Sequence, residues 1–562
     1  MRKKWFAFGC LTSILIIVFS FVLVVRSVSK LGTQKKTKIA DNSYLHIKLS
    51  GTIYDYNEIK DNFFHNENLF AHDIIEKVEK ATKDDRISGI ILEPSWISGG
   101  FATLNEIMLA LENFQASGKE VVAYLEVCGN RDYYLASVAD EIVLNPSASA
   151  GILLTGIGTN ILFYKDVLDK LGIEMQVIHA GKFKGAGEPF TRNEMSPPFR
   201  ESIAKLFSDI YEKMISELAE NRQLTDVDVR KIYENRMELF INQENAIEYN
   251  LVDNLMFHDD FMKGRKTVKL ADYHSFMPSN FTKDKVAVIY AQGSIVKQKT
   301  DFMATQITSQ KIAKICEKIA KDNSVKAVVL RVNSPGGSAL ESEIIFQHLQ
   351  KINKPIVVSM GNVAASGGYY IAANADYIFA DPFTITGSIG VVAMYPNLKK
   401  FSDKIGIHSD PISKGKFSNI TDPFLETKST TIAAMKIGIE ATYQEFKNRV
   451  ADGRNMSITE VEKIAQGRIW SSNDALENNL IDEVGSQKNA IQKAAELAEI
   501  ANYSVKYFPK QKTLTEIFLK EKFNFEMVSN LFVPNILNDA KQLYNEVKND
   551  PIQMRQLMFG TE

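Results

Sequence analysis

The sequence predicts an α/β protein made of two tandem copies of one unit with largely parallel sheets, set behind an N-terminal transmembrane helix. Three observations predict it: an ordered internal repeat, an alternation of β-rich and amphipathic helical stretches inside each copy, and an uncharged apolar run near the start. With 562 residues the chain is too long for one ordinary core, so two or more domains are expected.

The apolar run comes first. After "MRKK", residues 5–25, "WFAFGCLTSILIIVFSFVLVV", run for 21 positions without a charge. At about 1.5 Å per residue such a helix crosses a hydrocarbon core of about 30 Å. A cleavable signal peptide would have a shorter apolar region followed by a small-x-small site, and "VVRSVSK" offers none. Residues 1–30 are therefore read as a cytoplasmic stub and an uncleaved single-pass anchor that engages the lipid bilayer through residues 5–25. Arg2, Lys3 and Lys4 precede the run while Arg26 and Lys30 follow, which favours a cytoplasmic N-terminus and an exported body.

Two copies of one unit follow, read as residues 43–275 and 283–505. "LHIKLSGTI" (45–53) resembles "VAVIYAQGSI" (286–295), and "DDRISGIILEPSWISGG" (84–100) resembles "DNSVKAVVLRVNSPGG" (322–337). "YYLASVADEIVLNP" (133–146) resembles "YYIAANADYIFADP" (369–382), "HAGKFK" (179–184) resembles "SKGKFS" (413–418), and "NAIEYNLVDNL" (245–255) resembles "DALENNLIDEV" (474–484). Five landmarks in one order mark a duplication. Within a unit, β-rich runs such as "AVVLRV" and "PIVVSM" alternate with stretches such as "SQKIAKICEKIAKD", where Ile312, Ile315, Cys316 and Ile319 share one helical face. That alternation argues for α/β units with parallel sheets. The region from "KSTT" to "EKIA" (428–465) is long and reads as helical, with its counterpart near 200–233. Residues 506–562 have no partner in the repeat and read as a helical, amphipathic extension broken at Pro534 and Pro551.

Composition excludes some partners. Lysine plus arginine number 66 against 68 aspartate plus glutamate, a net charge of −2, so no electrostatic case exists for nucleic acid. The three cysteines, with Cys10 inside the apolar run, allow no disulfide framework; Cys128 and Cys316 read as small core residues. Nothing in the sequence calls for a metal or a cofactor.

The candidate chemistry lies in two glycine-rich stretches. "NSPGG" (333–337) directly follows the strand "AVVLRV"; glycines there let backbone N–H groups face outward, as an oxyanion hole or a tight turn requires. "GNVAASGGYYIAANADYIFADPFTITGSIG" (361–390) places Ser366 between two alanines and two glycines. A nucleophilic serine needs a base, usually histidine, yet none of the eight histidines stands in a glycine-rich loop. Lysine is the alternative, and it must be buried: a free lysine titrates at about 10.4, and lowering it by about 3 units costs the charged form roughly 4 kcal/mol. Lys184, in "HAGKFKGAGEPF", is flanked by small residues that permit burial. Each feature has a structural alternative as well, a plain turn, a close helix packing or a surface lysine. The repeat discriminates: Asn130 stands opposite Ser366, and Ser418 stands opposite Lys184. One copy holds the lysine without the serine and the other the serine without the lysine.

With the anchor, both repeats, "NSPGG", "ASGGYY", "TGSIG" and "GKFKGAGEPF", the chain resembles the signal peptide peptidase A family in its long, duplicated form, membrane-anchored serine proteases of the Clp protease/crotonase superfamily. The resemblance implies that each repeat is a Clp/crotonase-like domain, that Ser366 is the nucleophile and Lys184 the general base, and that Ser388 holds the lysine amine. Backbone N–H groups around Gly336, Gly337 and Gly367 would form the oxyanion hole. It also implies signal peptides left in the membrane after export, with small or apolar residues near the cut, as substrates. A homotetramer in the bacterial inner membrane, its catalytic part on the periplasmic side, is implied in the same way. A crotonase-like acyl-CoA enzyme shares the superfamily fold, but coenzyme A is not expected outside the cytoplasm. A catalytically inactive membrane scaffold is the other reading, and the presence of both Ser366 and Lys184 argues against it.

Overall fold

The computed structural model describes residues 39–58, 69–274, 282–299, 305–512 and 552–555. The expected anchor at residues 5–25, and Cys10 within it, lie outside the described residues; among the described residues no helix is long and apolar enough to cross a membrane.

Each repeat builds one sheet. In the first, parallel strands run in the order Lys266–Lys269, Ser43–Tyr54, Ile87–Ser98, Glu120–Leu125, Glu141–Leu144, Asn254–Leu255. In the second, the order is Ile469–Trp470, Ile385–Gly387, Ile356–Ala365, Val325–Ser334, Lys285–Gln292, Ser504–Phe508, parallel except at the first pair. Parallel sheets are covered on both faces, so their strands read as continuous apolar runs. The strand Lys285–Gln292 demonstrates it: Ala287, Ile289 and Ala291 enter one core, and the alternate Val286, Val288 and Tyr290 enter another. The helix Ser309–Lys321 buries Ile312, Ile315, Cys316 and Ile319, the face expected from their spacing. Cys128 and Cys316 are both buried.

The duplication extends to individual contacts. Tyr133 donates its hydroxyl to the Leu251 carbonyl and Tyr369 to that of Leu480, each at 2.8 Å. Arg222 pairs with Asp253 and Arg454 with Asp482, each at 2.8 Å. The long helices Pro197–Arg222 and Ser429–Arg454 each have 26 residues. Both end on a left-handed residue, Gln223 and Asn455, before a second short helix capped by Thr225 or Ser457. The helical region expected over 428–465 is made of two helices. The break falls where an αL residue satisfies the last carbonyls and a serine caps the next N–H groups.

A third sheet joins the repeats. Its order is Gln306–Thr308, Ser294–Val296, Gly336–Ser338, Ile552–Arg555, Val391–Asn397, Glu174–Ala180. Val391–Asn397 of the second repeat pairs antiparallel with Glu174–Ala180 of the first, from Val391↔Ala180 to Asn397↔Glu174. The repeats also meet where the buried Arg331 guanidinium of the second contacts Asp55 at 3.3 Å and Glu106 at 3.0 Å, both from the first. The helical reading of 506–562 is corrected at both described pieces. Residues up to Phe508 complete the edge of the second sheet, and Ile552–Arg555 is a strand, because free strand edges offer backbone partners that a helix cannot use. The rest of that extension, with Pro534 and Pro551, lies outside the described residues.

Candidate active site

The antiparallel pairing between repeats sets the site. Lys184 lies four residues past the end of Glu174–Ala180, and Ser388 lies three residues before Val391–Asn397, so their pairing brings the two together. The Lys184 amine is 2.8 Å from Ser366 Oγ, 2.9 Å from the Ser388 carbonyl oxygen and 2.9 Å from Ser388 Oγ. Lys184 is 4% exposed and Ser366 fully buried. Burial, with no compensating carboxylate, pulls the lysine amine down from its ordinary value to about 7. At neutral pH a large share of the amine is then unprotonated. Its lone pair can accept the Ser366 hydroxyl proton while its two N–H bonds donate to the Ser388 oxygens.

Ser366 stands between the strand Ile356–Ala365 and the helix Gly367–Ala372, with φ 56° and ψ −119°. A non-glycine residue held there stores strain; its N–H donates to the Gly387 carbonyl at 2.8 Å, which fixes the turn. Ser388 also has positive φ, 52°, and its N–H donates to the Arg468 carbonyl at 2.7 Å.

The glycines converge beside the serine. A Cβ on Gly367 would lie 3.2 Å from Gly336 Cα and 3.3 Å from Gly337 N, and one on Gly337 would lie 2.1 Å from the Ile295 carbonyl oxygen. Gly336 and Gly337 have φ 96° and 152°, which L side chains rarely adopt. The Gly336 N–H donates to Ser334 Oγ at 3.1 Å, so this group supports the loop. Gly337 and Gly367 lie in close backbone contact beside Ser366. Alongside, Gly336–Ser338 and Val391–Asn397 both pair antiparallel with the strand Ile552–Arg555, so the chain's own segment fills the slot between them.

Sequence reasoning missed the seat under the lysine, "AQGR" at 465–468. Phe183 N donates to the Gln466 carbonyl at 2.8 Å, and Gly467 N donates to that of Ile389 at 2.8 Å. A Cβ on Gly467 would lie 2.7 Å from both N and Cβ of Lys184. The Arg468 guanidinium lies 4.8 Å from the Phe183 ring centroid. The only available signal was a lone glycine. Lys182, by contrast, is exposed. Among the described histidines, His46 and His258 bracket Glu93 at 2.7 and 2.9 Å. Of the counterparts, Asn130 donates to the Gly156 carbonyl at 2.7 Å, and Ser418 to the Lys414 carbonyl in a loop.

Residues 113–271 and 348–501 match peptidase family S49, and residues 283–380 match Clp protease. The chain is 35% identical over 499 residues to "Protease 4" of Haemophilus influenzae, covering 84% of this chain and 78% of that protein. It is 33% identical over 480 residues to "Protease 4" of Salmonella typhi, covering 80% and 75%. A third relative is the "Serine protease SPPA, chloroplastic" of Arabidopsis thaliana, 31% identical over 489 residues, covering 82% and 70%. A strained serine on a buried amine, beside convergent glycines in a duplicated α/β frame, agrees with these matches: the chain belongs to peptidase family S49 and is a serine peptidase.

Proposed function

We propose that Ser366 is the nucleophile and Lys184 the general base of a membrane-anchored endopeptidase that degrades signal peptides left in the bilayer after export. The observation that carries this reading is the 2.8 Å contact between a buried, carboxylate-free lysine amine and the serine hydroxyl. The neutral amine takes the hydroxyl proton as Oγ bonds to the peptide carbonyl carbon. The oxyanion is held by the N–H groups of Gly337 and Gly367. The tetrahedral intermediate collapses, the C–N bond breaks, and the departing amine takes the proton back from Lys184. Water then attacks the acyl-serine, giving its proton to the same amine, and Ser366 is released. Ser388 orients the amine throughout.

The membrane part of the reading rests on residues 5–25, whose length and lack of charge suit a bilayer span, and on the flanking cations, which favour an exported body. On this reading the protein works on the periplasmic side of the bacterial inner membrane, as a homotetramer. Small or apolar residues near the cut suit the glycine, alanine and valine positions beside the site, between which the chain's own strand Ile552–Arg555 lies.

The test is hydrolysis of an apolar signal-sequence peptide by the full chain in detergent, with mass spectrometry of the products. A fluorophosphonate should label Ser366 alone. Ser366→Ala and Lys184→Ala should each abolish turnover without additivity, because the two groups act as a unit. Substantial turnover by Lys184→Ala at neutral pH would sink the assignment.

A further inference from the structure

The first repeat has no serine at the position of Ser366, yet it retains the shape around that position. Gly99 has φ 138°, and a Cβ there would lie 3.2 Å from the Ile53 carbonyl oxygen. Gly337 has φ 152° and stands in the same relation to Ile295, the residue that matches Ile53 in the repeat. The strands behind these glycines pair alike, Thr52 with Ser98 and Ile295 with Gly337. A backbone form that L residues rarely adopt is therefore kept where no hydroxyl needs it.

In front of this turn lies a cavity of about 710 Å³, within the size class of ligand pockets. Phe101, Ile157, Phe207 and Ile210 of the first repeat line one side. The other wall includes Pro335, Val363 and Ile385 of the second repeat. These residues stand next to Gly336, three before Ser366 and three before Ser388, so the cavity and the Ser366 site share a wall. Asn130 lines the cavity too. Its Nδ2 donates to Thr155 Oγ1 at 3.1 Å and to the Gly156 carbonyl at 2.7 Å, while its Oδ1 is buried with no partner among the described residues. A buried acceptor left alone is costly, and a peptide N–H would satisfy it. The charged residues at the cavity, Asp55 and Arg131, are each engaged: Asp55 by Arg331 and Thr103, and Arg131 over the Phe101 ring at 5.6 Å. In the second repeat the corresponding turn, Gly336–Ser338, already carries an extended strand, Ile552–Arg555.

We propose that this cavity is a second, non-cleaving peptide site, which grips an apolar extended stretch of the same substrate whose bond is cut at Ser366. The inference rests on the peptidase reading above and adds to it a preference for long apolar substrates. A copy of the groove with Asn130 in place of the nucleophilic serine binds without cutting, and the shared wall lets one peptide engage both.

The test uses the full chain and two apolar peptides with the same cleavable core, one of about 20 residues and one of about 6. Phe207→Glu and Ile157→Glu each place a carboxylate against the apolar wall. Each should lower the ratio of kcat/KM for the long peptide to that for the short one at least tenfold, mainly through KM. An unchanged ratio in both variants, or equal loss on both peptides, overturns the proposal. Independently of turnover and of these variants, the long peptide carrying a benzophenone in its apolar stretch is photolysed on the Ser366→Ala chain. Cross-links at 155–158 or 207–210 are expected; labelling confined to 336–338 and 391–397 overturns the proposal. If wild type cleaves neither peptide, the peptidase reading fails while the cross-link still decides the cavity.

Discussion

Gly467 touches no reacting atom, yet Gly467→Ala should cost the enzyme most of its rate. The new methyl would stand 2.7 Å from Lys184 N and Cβ and 2.8 Å from its Cα. Carbon contacts settle near 3.5–4.0 Å, so the lysine backbone must retreat by about 0.7 Å or more. Gly467 is tied by its N–H to Ile389, on the same segment as Ser388, so the lysine is the part that yields. If the amine follows its backbone, its 2.8 Å contact with Ser366 Oγ stretches to about 3.5 Å, outside hydrogen-bond range. A misplacement near 1 Å costs on the order of 10²-fold in rate, or ~2.7 kcal/mol of transition-state stabilisation. The substitution also forces alanine to φ +75°, a strain of about 1–2 kcal/mol that lowers stability without bearing on the chemistry.

Gly264→Ala separates the two effects. That glycine has φ +80° with nothing within 4 Å of the added Cβ, so it carries the strain and not the push. The assay is kcat on an apolar peptide for both variants, with urea midpoints to confirm that each is folded. Both should lose similar stability, and only Gly467→Ala should lose activity. A folded Gly467→Ala enzyme within about threefold of wild type, or an equal rate loss in Gly264→Ala, would refute the reasoning.

Because the Lys184 amine titrates at about 7 rather than 10.5, kcat/KM should level off above pH 7 and fall about tenfold per unit below it as the lone pair is protonated; a flat profile from pH 5 to 8 contradicts this. The same lowered value means that the unfolded chain binds the extra proton between about 7 and 10.5, so stability rises with pH across that window and the burden is full below 7. Lys184→Met should therefore abolish turnover while raising the urea midpoint at pH 7, and a lowered midpoint would count against the burial cost. Ser388→Ala removes one of two oxygens that hold the amine and leaves the carbonyl, so a loss of about ten- to a hundredfold in kcat is expected, and an unchanged rate and pH profile would make Ser388 structural. Arg331→Met strands the Asp55 and Glu106 carboxylates between the repeats and should destabilise by about 3–5 kcal/mol; a shift under about 1 kcal/mol in urea unfolding would contradict the pairing.

What was legible in the sequence was local or repeated. The face Ile312, Ile315, Cys316 and Ile319 follows from helical period alone, and the two long helices declared themselves twice, once in each repeat. Ser366 and Lys184 stood out through their reciprocal absence at Asn130 and Ser418, a comparison that only a duplicated chain permits. The joining sheet was not legible, because Glu174–Ala180 and Val391–Asn397 carry ordinary strand residues and nothing in either marks the other as its partner. Gly467 was invisible for a related reason: its value is the absence of a Cβ against a lysine from the other repeat, and no neighbour in sequence reports that. The break inside 428–465 is not announced in the sequence, because Asn455 adopts αL without the glycine or proline that usually marks a helix end. The strand at 552–555 was read as helix because its pattern is too short to set a period, and its conformation comes from the two free edges it fills.

The pairing of Glu174–Ala180 with Val391–Asn397 also governs when the chain can become a protease. Synthesis runs from the N-terminus, and domains fold as they emerge, so the lysine-bearing half is finished while the segment carrying the serine has yet to be made. Until residues 391–397 arrive and close the joint, Lys184 has no dry pocket and keeps the proton of an ordinary lysine. Its future partner is equally inert, a plain hydroxyl. A nascent or truncated chain thereby lacks a competent pair, and hydrolytic power switches on only in a molecule whose two halves have docked.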